Sequence, residues 1–102
     1  MLILPIKKHW YDMILSGEKK EEYREIKPYW AKRFIKAGLL LSNDHSSTWA
    51  KPVLFRNGYG ANKPSFVALC QLNIGYGREE WGAEPDKKYF ILNIIKISED
   101  KS

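Results

Sequence analysis

The chain has 102 residues and carries seventeen lysines and arginines against twelve aspartates and glutamates, a net charge of +5 at pH 7. This length suffices for one hydrophobic core and is too short for two. An apolar fraction of 44%, with four Trp, six Tyr and four Phe, excludes a disordered chain because it supplies enough surface to bury. The sequence therefore predicts a single domain over residues 1–102.

The single cysteine excludes a disulfide within the chain. Cys70 lies in an apolar run with Ala68 and Leu72, which predicts a buried core residue and fits a reducing compartment. The apolar run at residues 1–6 is too short for a signal peptide or a membrane span. We therefore expect a cytoplasmic protein without membrane association, and a monomer.

The first half of the chain alternates strand and helix patterns. Residues 1–6 predict a strand, and Trp10, Met13 and Ile14 follow at helical spacing before Gly17, a residue that favours a helix end. The stretch 19–26 is polar on both faces, and we interpret it as a second strand that carries functional groups. Pro28 begins a second helix over residues 28–37, where apolar residues recur at i, i+4 and i+7.

Strands dominate the remainder. Residues 39–41 predict a short strand and residues 42–48 a polar loop. Further strands are predicted at 53–56, 66–74 and 89–97, with a hairpin turn signal at Asn57-Gly58. Two helices near the N-terminus and five to six strands predict an α+β fold with a small β-barrel.

Positive charge is concentrated in the middle of the chain, where residues 26–78 hold eight basic residues and one acidic residue. The basic residues are Lys27, Lys32, Arg33, Lys36, Lys51, Arg56, Lys63 and Arg78. Eight aromatic residues are interleaved with them, an arrangement that suits phosphates and unstacked bases. The alternative is that the aromatic residues fill the core while the cations are solvated.

The segment Gly17–Arg24, GEKKEEYR, fits the pattern G-x-K-x-x-E-x-R and resembles the motif of the ASCH domain, a family of PUA-like small β-barrels. Lys7 matches a basic residue that ASCH sequences often carry before the first helix, although Lys8 follows it where Pro is frequent. The resemblance follows the element order of the whole chain. It implies a cleft beside the first helix that binds RNA or a nucleotide.

The motif also has a direct physical interpretation. On a strand, Glu22 and Arg24 share one face and lie about 7 Å apart. A glycine turn at Gly17 would direct Lys19 to the same place, so that two cations and one carboxylate converge. Such a site holds a phosphate through Lys19 and Arg24, while the carboxylate accepts from a base or a ribose hydroxyl. The structural alternative is an exposed ladder of ion pairs that adds little stability.

A second group of ligand-binding candidates follows the third predicted strand. Arg56, Asn57 and Tyr59 offer a guanidinium, an amide and a ring beside a glycine turn. They would line the cleft opposite the motif; the alternative is a purely structural turn. This segment, with Trp81-Gly82-Ala83, loosely resembles small bacterial and phage-type ASCH proteins. We expect Trp81 to pack over the barrel end; the alternative is that it stacks on a base.

An enzyme is the main alternative, since some ASCH proteins hydrolyse N4-acetylcytidine and others are linked to RNA cleavage. Lys19 and Glu22 would then be catalytic. The acetylcytidine hydrolases carry Thr three residues after the motif lysine, where this chain has Glu22. A catalytic lysine needs a lowered pKa, which Arg24 favours and Glu22 opposes. Glu79, Glu80 or Glu84 could supply a second carboxylate.

Other chemistries lack support in the sequence. His9 and His45 are far apart and have no ligand-type neighbours at metal-binding spacing, so we expect neither a metal nor a cofactor. The adjacent Asp44, His45 and Ser46 cannot form a catalytic triad and belong to a loop. A second alternative is a protein-interaction module whose basic face docks an acidic partner.

Overall fold

The computed structural model describes residues 1–42 and 46–98. Within these ranges the strands are β1 (Leu2–Ile6), β2 (Glu21–Glu25), β3 (Lys51–Asn57), β4 (Ser65–Tyr76) and β5 (Lys88–Ile97). The helices are α1 (Lys8–Leu15) and α2 (Pro28–Lys36), and a single 3-10 turn spans Glu79–Trp81.

All five strands form one mixed sheet in the order β1-β3-β4-β5-β2, curled into a half-barrel. β1 runs parallel to β3, and the other pairs are antiparallel. The two strands at the ends of this order, β1 and β2, are therefore its open edges. The predicted α+β class, with two helices near the N-terminus and a barrel-like sheet, is confirmed at this level.

Alternating apolar residues place the main core between the sheet and the two helices. Leu2, Leu4 and Ile6 of β1 are buried, as are Val53 and Phe55 of β3. The helices close the core with buried residues of their own, Tyr11, Ile14, Ala31 and Phe34. Cys70 lies in this core as predicted, and burial raises the pKa of its thiol to about 12.

Both helix boundaries follow the sequence signals. Gly17 adopts a left-handed φ of +87° directly after the α1 cap residue Ser16, a conformation that costs glycine little. Pro28 is the first residue of α2, where its missing N–H leaves no helical hydrogen bond unmade.

Two local predictions differ from the structure. The expected short strand at residues 39–41 is reduced to one bridge, between Leu40 and Ser47. The signal at Asn57-Gly58 does not give a tight hairpin: Gly58 has φ +85°, but residues 58–64 form a longer connection, which the Asn57 N–H closes by donating to the Pro64 carbonyl at 2.9 Å. Of the predicted loop 42–48, residues 43–45, including Asp44 and His45, lie outside the described residues.

A smaller cluster packs around β2 and β5, where Tyr23, Ala83, Tyr89 and Ile91 are buried together and Trp81 rests against them. The Tyr23 hydroxyl accepts a hydrogen bond from the Arg78 N–H at 2.9 Å and donates to Glu21 at 2.7 Å. These contacts hold the 3-10 turn beside β2. In the described ranges, no helix has the length and apolarity needed to cross a membrane.

Candidate functional site: a cleft at the open seam of the sheet

A cleft of about 700 Å³ lies where the two edge strands face each other. Residues from both edges, both helices, the loop after β3 and the 3-10 turn form its walls. They are Pro5, Ile6, Lys7, Trp10, Lys19, Glu22, Tyr23, Arg24, Tyr29, Trp30, Arg33, Gly58, Tyr59, Trp81 and Gly82.

The motif residues form a buried ion-pair network in the cleft wall. The side chains of Lys19 and Glu22 are almost fully buried, with residue exposures of 1% and 5%. One Glu22 carboxylate oxygen lies 3.1 Å from Lys19 Nζ, and the other accepts a hydrogen bond from Arg24 at 2.6 Å. Both carboxylate oxygens are thus engaged, as a buried carboxylate requires.

Lys19 is further held by main chain and aromatic rings. Its ammonium donates to the Trp81 carbonyl and lies 4.2 Å from the ring centroid of Trp10 and 5.1 Å from that of Tyr23. Burial lowers the pKa of Lys19, because desolvation disfavours the ammonium, while the attraction of Glu22 opposes part of this effect.

Arg24 spans the seam between the edge strands. From β2 it donates to its neighbour's carbonyl at Tyr23 (2.6 Å) and across to the Pro5 carbonyl of β1 (3.4 Å). Its guanidinium also lies 5.2 Å from the ring centroid of Trp30, within cation–π range. A side chain therefore joins two strands that no backbone ladder connects.

The local sequence explains how Lys19 reaches this position. After the turn at Gly17, the Lys19 N–H donates to the Met13 carbonyl at 2.9 Å, and the next residue's carbonyl accepts from Ile94 at 3.0 Å. Lys19 is thereby fixed between α1 and the start of β2. The predicted strand over 19–26 is shorter in the structure, where β2 spans Glu21–Glu25 and Lys19 precedes it.

Aromatic rings line the exposed part of the cleft. Tyr59 stands on the loop after β3 and is 84% exposed. From α2, the Tyr29 and Trp30 rings meet edge to face at 5.0 Å, and Arg33 lies 5.5 and 5.7 Å from their centroids. Together with Lys7, which is also exposed, these groups present cations and π-faces to a ligand.

The structure brings five of the seven sequence-predicted site residues into the cleft: Lys7, Lys19, Glu22, Arg24 and Tyr59. Arg56 and Asn57 are half-buried at the end of β3 and do not line it, and Arg56 Nε is buried without a hydrogen-bond partner. The alternative of an exposed ion-pair ladder is wrong, because Lys19 and Glu22 are enclosed.

None of the three candidate second carboxylates lines the cleft. Glu80 lies 3.9 Å from Arg78, and Glu84 lies 3.2 Å from Lys87, both on the surface. His9 is exposed at the start of α1 beside Trp10, with ring centroids 4.6 Å apart. No cluster of three or more His, Cys, Asp or Glu residues able to hold a metal occurs in the described part of the chain.

Sequence reasoning missed three partners of Lys19. Trp10 was recognised only by its helical spacing and Tyr23 only as part of the motif stretch, although both rings lie close to the ammonium. The Trp81 contact is made by a backbone carbonyl, which every residue carries, so no residue type signals it.

Comparisons with known proteins find no match: no family model, no curated protein and no solved structure is significantly similar to this chain.

Proposed function

We propose that this chain is a PUA-like, ASCH-type domain that binds RNA or a nucleotide in the seam cleft. The G-x-K-x-x-E-x-R motif and the element order support the family assignment. The binding proposal depends on one observation: the cleft combines a buried Lys19–Glu22–Arg24 network with exposed aromatic rings and unburied cations at its mouth.

Cleft size and chemistry both suit a nucleotide. A volume of about 700 Å³ lies inside the roughly 300–1,000 Å³ range of small-molecule sites. Aromatic faces such as that of Tyr59 stack on unpaired bases, while Lys7 and Arg33 offer charge to phosphate. Arg24, the partly exposed member of the network, can orient the ligand, since Glu22 sets its position before the ligand binds.

The hydrolase alternative has one observation in its favour, the lowered pKa of Lys19. Against it, Glu22 lies 3.1 Å from the ammonium and stabilises the charged form, and the amine is 1% exposed. Neither a histidine nor a carboxylate other than Glu22 lines the cleft in the described residues. The described part of the cleft thus offers no histidine or second carboxylate as a proton acceptor for hydrolysis or RNA cleavage, which favours binding.

Two exposed aromatic residues provide a matched test. Tyr59 and Trp49 are each 84% exposed, but only Tyr59 lines the cleft. Replacing either by alanine removes little packing, so both variants should remain folded. Because base stacking contributes about 1–3 kcal/mol per base, Tyr59→Ala should weaken binding by about 5- to 150-fold in calorimetric titration with mononucleotides and single-stranded RNA. Trp49→Ala should bind like the wild type.

Three results would contradict the proposal. Equal losses of nucleotide affinity in Tyr59→Ala and Trp49→Ala would show that the ligand does not bind in the cleft. Binding of an acidic peptide with no affinity for nucleotides would favour the protein-interaction alternative. Release of acetate from N4-acetylcytidine by the wild-type protein, and its loss in Lys19→Met, would favour the hydrolase.

A further inference from the structure

A second concavity continues the seam cleft along the same edge of the sheet. It has a volume of about 310 Å³ and is lined by Met1, Leu2, Ile3, Arg33, Lys36 and Ala37. Arg33 lines both concavities, so the two adjoin. We call the combined surface the β1–α2 groove.

The two walls of the groove are the open edge strand and the helix that flanks it. The C-terminal half of β1, with Pro5 and Ile6, lines the cleft, and the N-terminal half, with Leu2 and Ile3, lines the second concavity. At about 3.3 Å per strand residue, β1 extends about 10 Å beyond the cleft, from Pro5 to Leu2. At about 1.5 Å per helix residue, α2 extends about 6 Å beyond it, from Arg33 to Ala37. One mononucleotide in the cleft leaves this extension unoccupied.

Charge makes the extension suitable for a polyanion. α2 contains Lys32, Arg33 and Lys36 and no acidic residue. No carboxylate in residues 1–42 or 46–98 forms an ion pair with Arg33 or Lys36. By contrast, Lys87 and Lys27, outside the groove, both pair with Glu25.

Arg33 and Lys36 are also positioned as successive contacts. Three residues apart on a helix, they lie on one face about 5–6 Å apart at Cβ. Arg33 is adjacent to the Tyr29 and Trp30 rings of the cleft, and Lys36 lies beyond it beside the apolar residues Leu2 and Ile3. Two cations in succession along the groove can contact successive phosphates of a single strand.

We propose that the ligand of this domain is a segment of single-stranded RNA and not a free nucleotide. One nucleotide occupies the seam cleft, and the neighbouring phosphates run along the β1–α2 groove over Arg33 and Lys36. This inference rests on the proposed function and adds the length of the ligand and its path.

The test compares Lys36→Gln with Lys32→Gln. Both remove one exposed positive charge from α2, so general electrostatic attraction to the ligand changes equally. Lys32 is the control because it lines neither concavity. The probes are uridine monophosphate and oligouridylates of increasing length, titrated at several salt concentrations. Affinity should rise with length in the wild type. Lys36→Gln should reduce affinity for the longer probes by roughly tenfold and leave affinity for the monophosphate unchanged.

Salt dependence supplies an independent measure. Each phosphate contact to a single strand contributes about −0.7 to the slope of log K against log salt. Lys36→Gln should therefore make the slope for oligouridylate shallower by about 0.7, and Lys32→Gln should leave it unchanged.

The outcomes separate this inference from the proposed function. Equal affinity for the monophosphate and the oligomers, or equal effects of the two variants, would contradict an RNA path beyond the cleft but not nucleotide binding in the cleft. If neither probe binds, both this inference and the proposed function are wrong. Preferential binding of an oligoglutamate peptide, lost in Lys36→Gln, would overturn the RNA assignment and make the groove a site for an acidic protein segment.

Discussion

Glu22→Gln tests whether the buried ion-pair network holds the fold together. The substitution keeps the shape of the side chain but removes the charge that faces both Lys19 and Arg24. Arg24 remains partly exposed and can use water. The Lys19 ammonium, at 1% exposure, would lose its ion-pair partner and keep only neutral ones. These are the Trp81 carbonyl, the Trp10 and Tyr23 rings and the amide oxygen of the new side chain.

Removing one partner of a buried pair typically costs about 3–5 kcal/mol, because the other charge stays buried without compensation. In a domain of this size each kcal/mol lowers Tm by about 4–8 °C, so the melting temperature should fall by more than about 10 °C. Glu25→Gln is the matched control: this carboxylate lies on the same strand and pairs with Lys27 and Lys87, but at the surface. It should cost less than about 1 kcal/mol.

The pH dependence of stability gives a second test of whether the buried Lys19 charge causes the loss in Glu22→Gln. Burial lowers the pKa of Lys19 in the folded state, so between that value and the ordinary 10.5 the unfolded chain binds more protons and stability rises with pH. Without Glu22 the pKa falls further, because the attraction that opposed desolvation is lost. The stability deficit of Glu22→Gln should therefore shrink as pH rises toward 10.

Urea unfolding at several pH values measures this deficit directly. The explanation by a buried Lys19 charge without its partner would be wrong if Glu22→Gln and Glu25→Gln lose equal stability. It would also be wrong if the Glu22→Gln deficit stays constant from neutral to alkaline pH.

Two further predictions concern packing and titration in the core. An added Cβ at Gly77 would lie 2.5 Å from the Tyr23 ring and 2.7 Å from the Ala83 methyl, so Gly77→Ala should lower the free energy of unfolding in urea by about 1–3 kcal/mol. Gly75→Ala, where the nearest contact of the added Cβ is 3.5 Å, should cost clearly less. Equal losses in the two variants would contradict the clash. The pKa of Cys70 rises from 9.0 to about 12 on folding, so wild-type stability should fall between these pH values by up to about 1.4 kcal/mol per unit, and Cys70→Ala should lack that component. Parallel alkaline profiles would contradict a buried neutral thiol.

The sequence was most informative where local chemistry and burial agree. Pro28, Gly17 and the apolar spacing are signals local to each helix, so the end of α1 and both bounds of α2, predicted at 28–37, could be placed closely. The β4 and β5 runs are long and mostly apolar, and their predicted bounds fall within two residues of the observed ones.

Predictions that depend on distant contacts were less successful. Asn57-Gly58 favours a two-residue hairpin, but the Gly58 N–H donates instead to the Ile6 carbonyl of β1 at 2.8 Å, so a tertiary contact outweighs the turn preference. The motif predicted that Lys19, Glu22 and Arg24 converge on one site, but not that Lys19 is buried there. The burial of Lys19 depends on Trp10 and Trp81, which lie nine residues before it and 62 after it in the chain.

The cleft and the network have a common origin in the incomplete closure of the sheet. β1 and β2 are the open edges, and Pro5 in β1 carries no N–H to pair with another strand. Arg24 joins them through one side chain, which leaves room between the strands that a closed ladder would fill. Because the Lys19–Glu22–Arg24 charges both span this gap and line it, substituting them changes stability and ligand contact together. Exposed residues outside the network, such as Tyr59 at the cleft and Lys36 farther along the β1–α2 groove, can separate binding from folding.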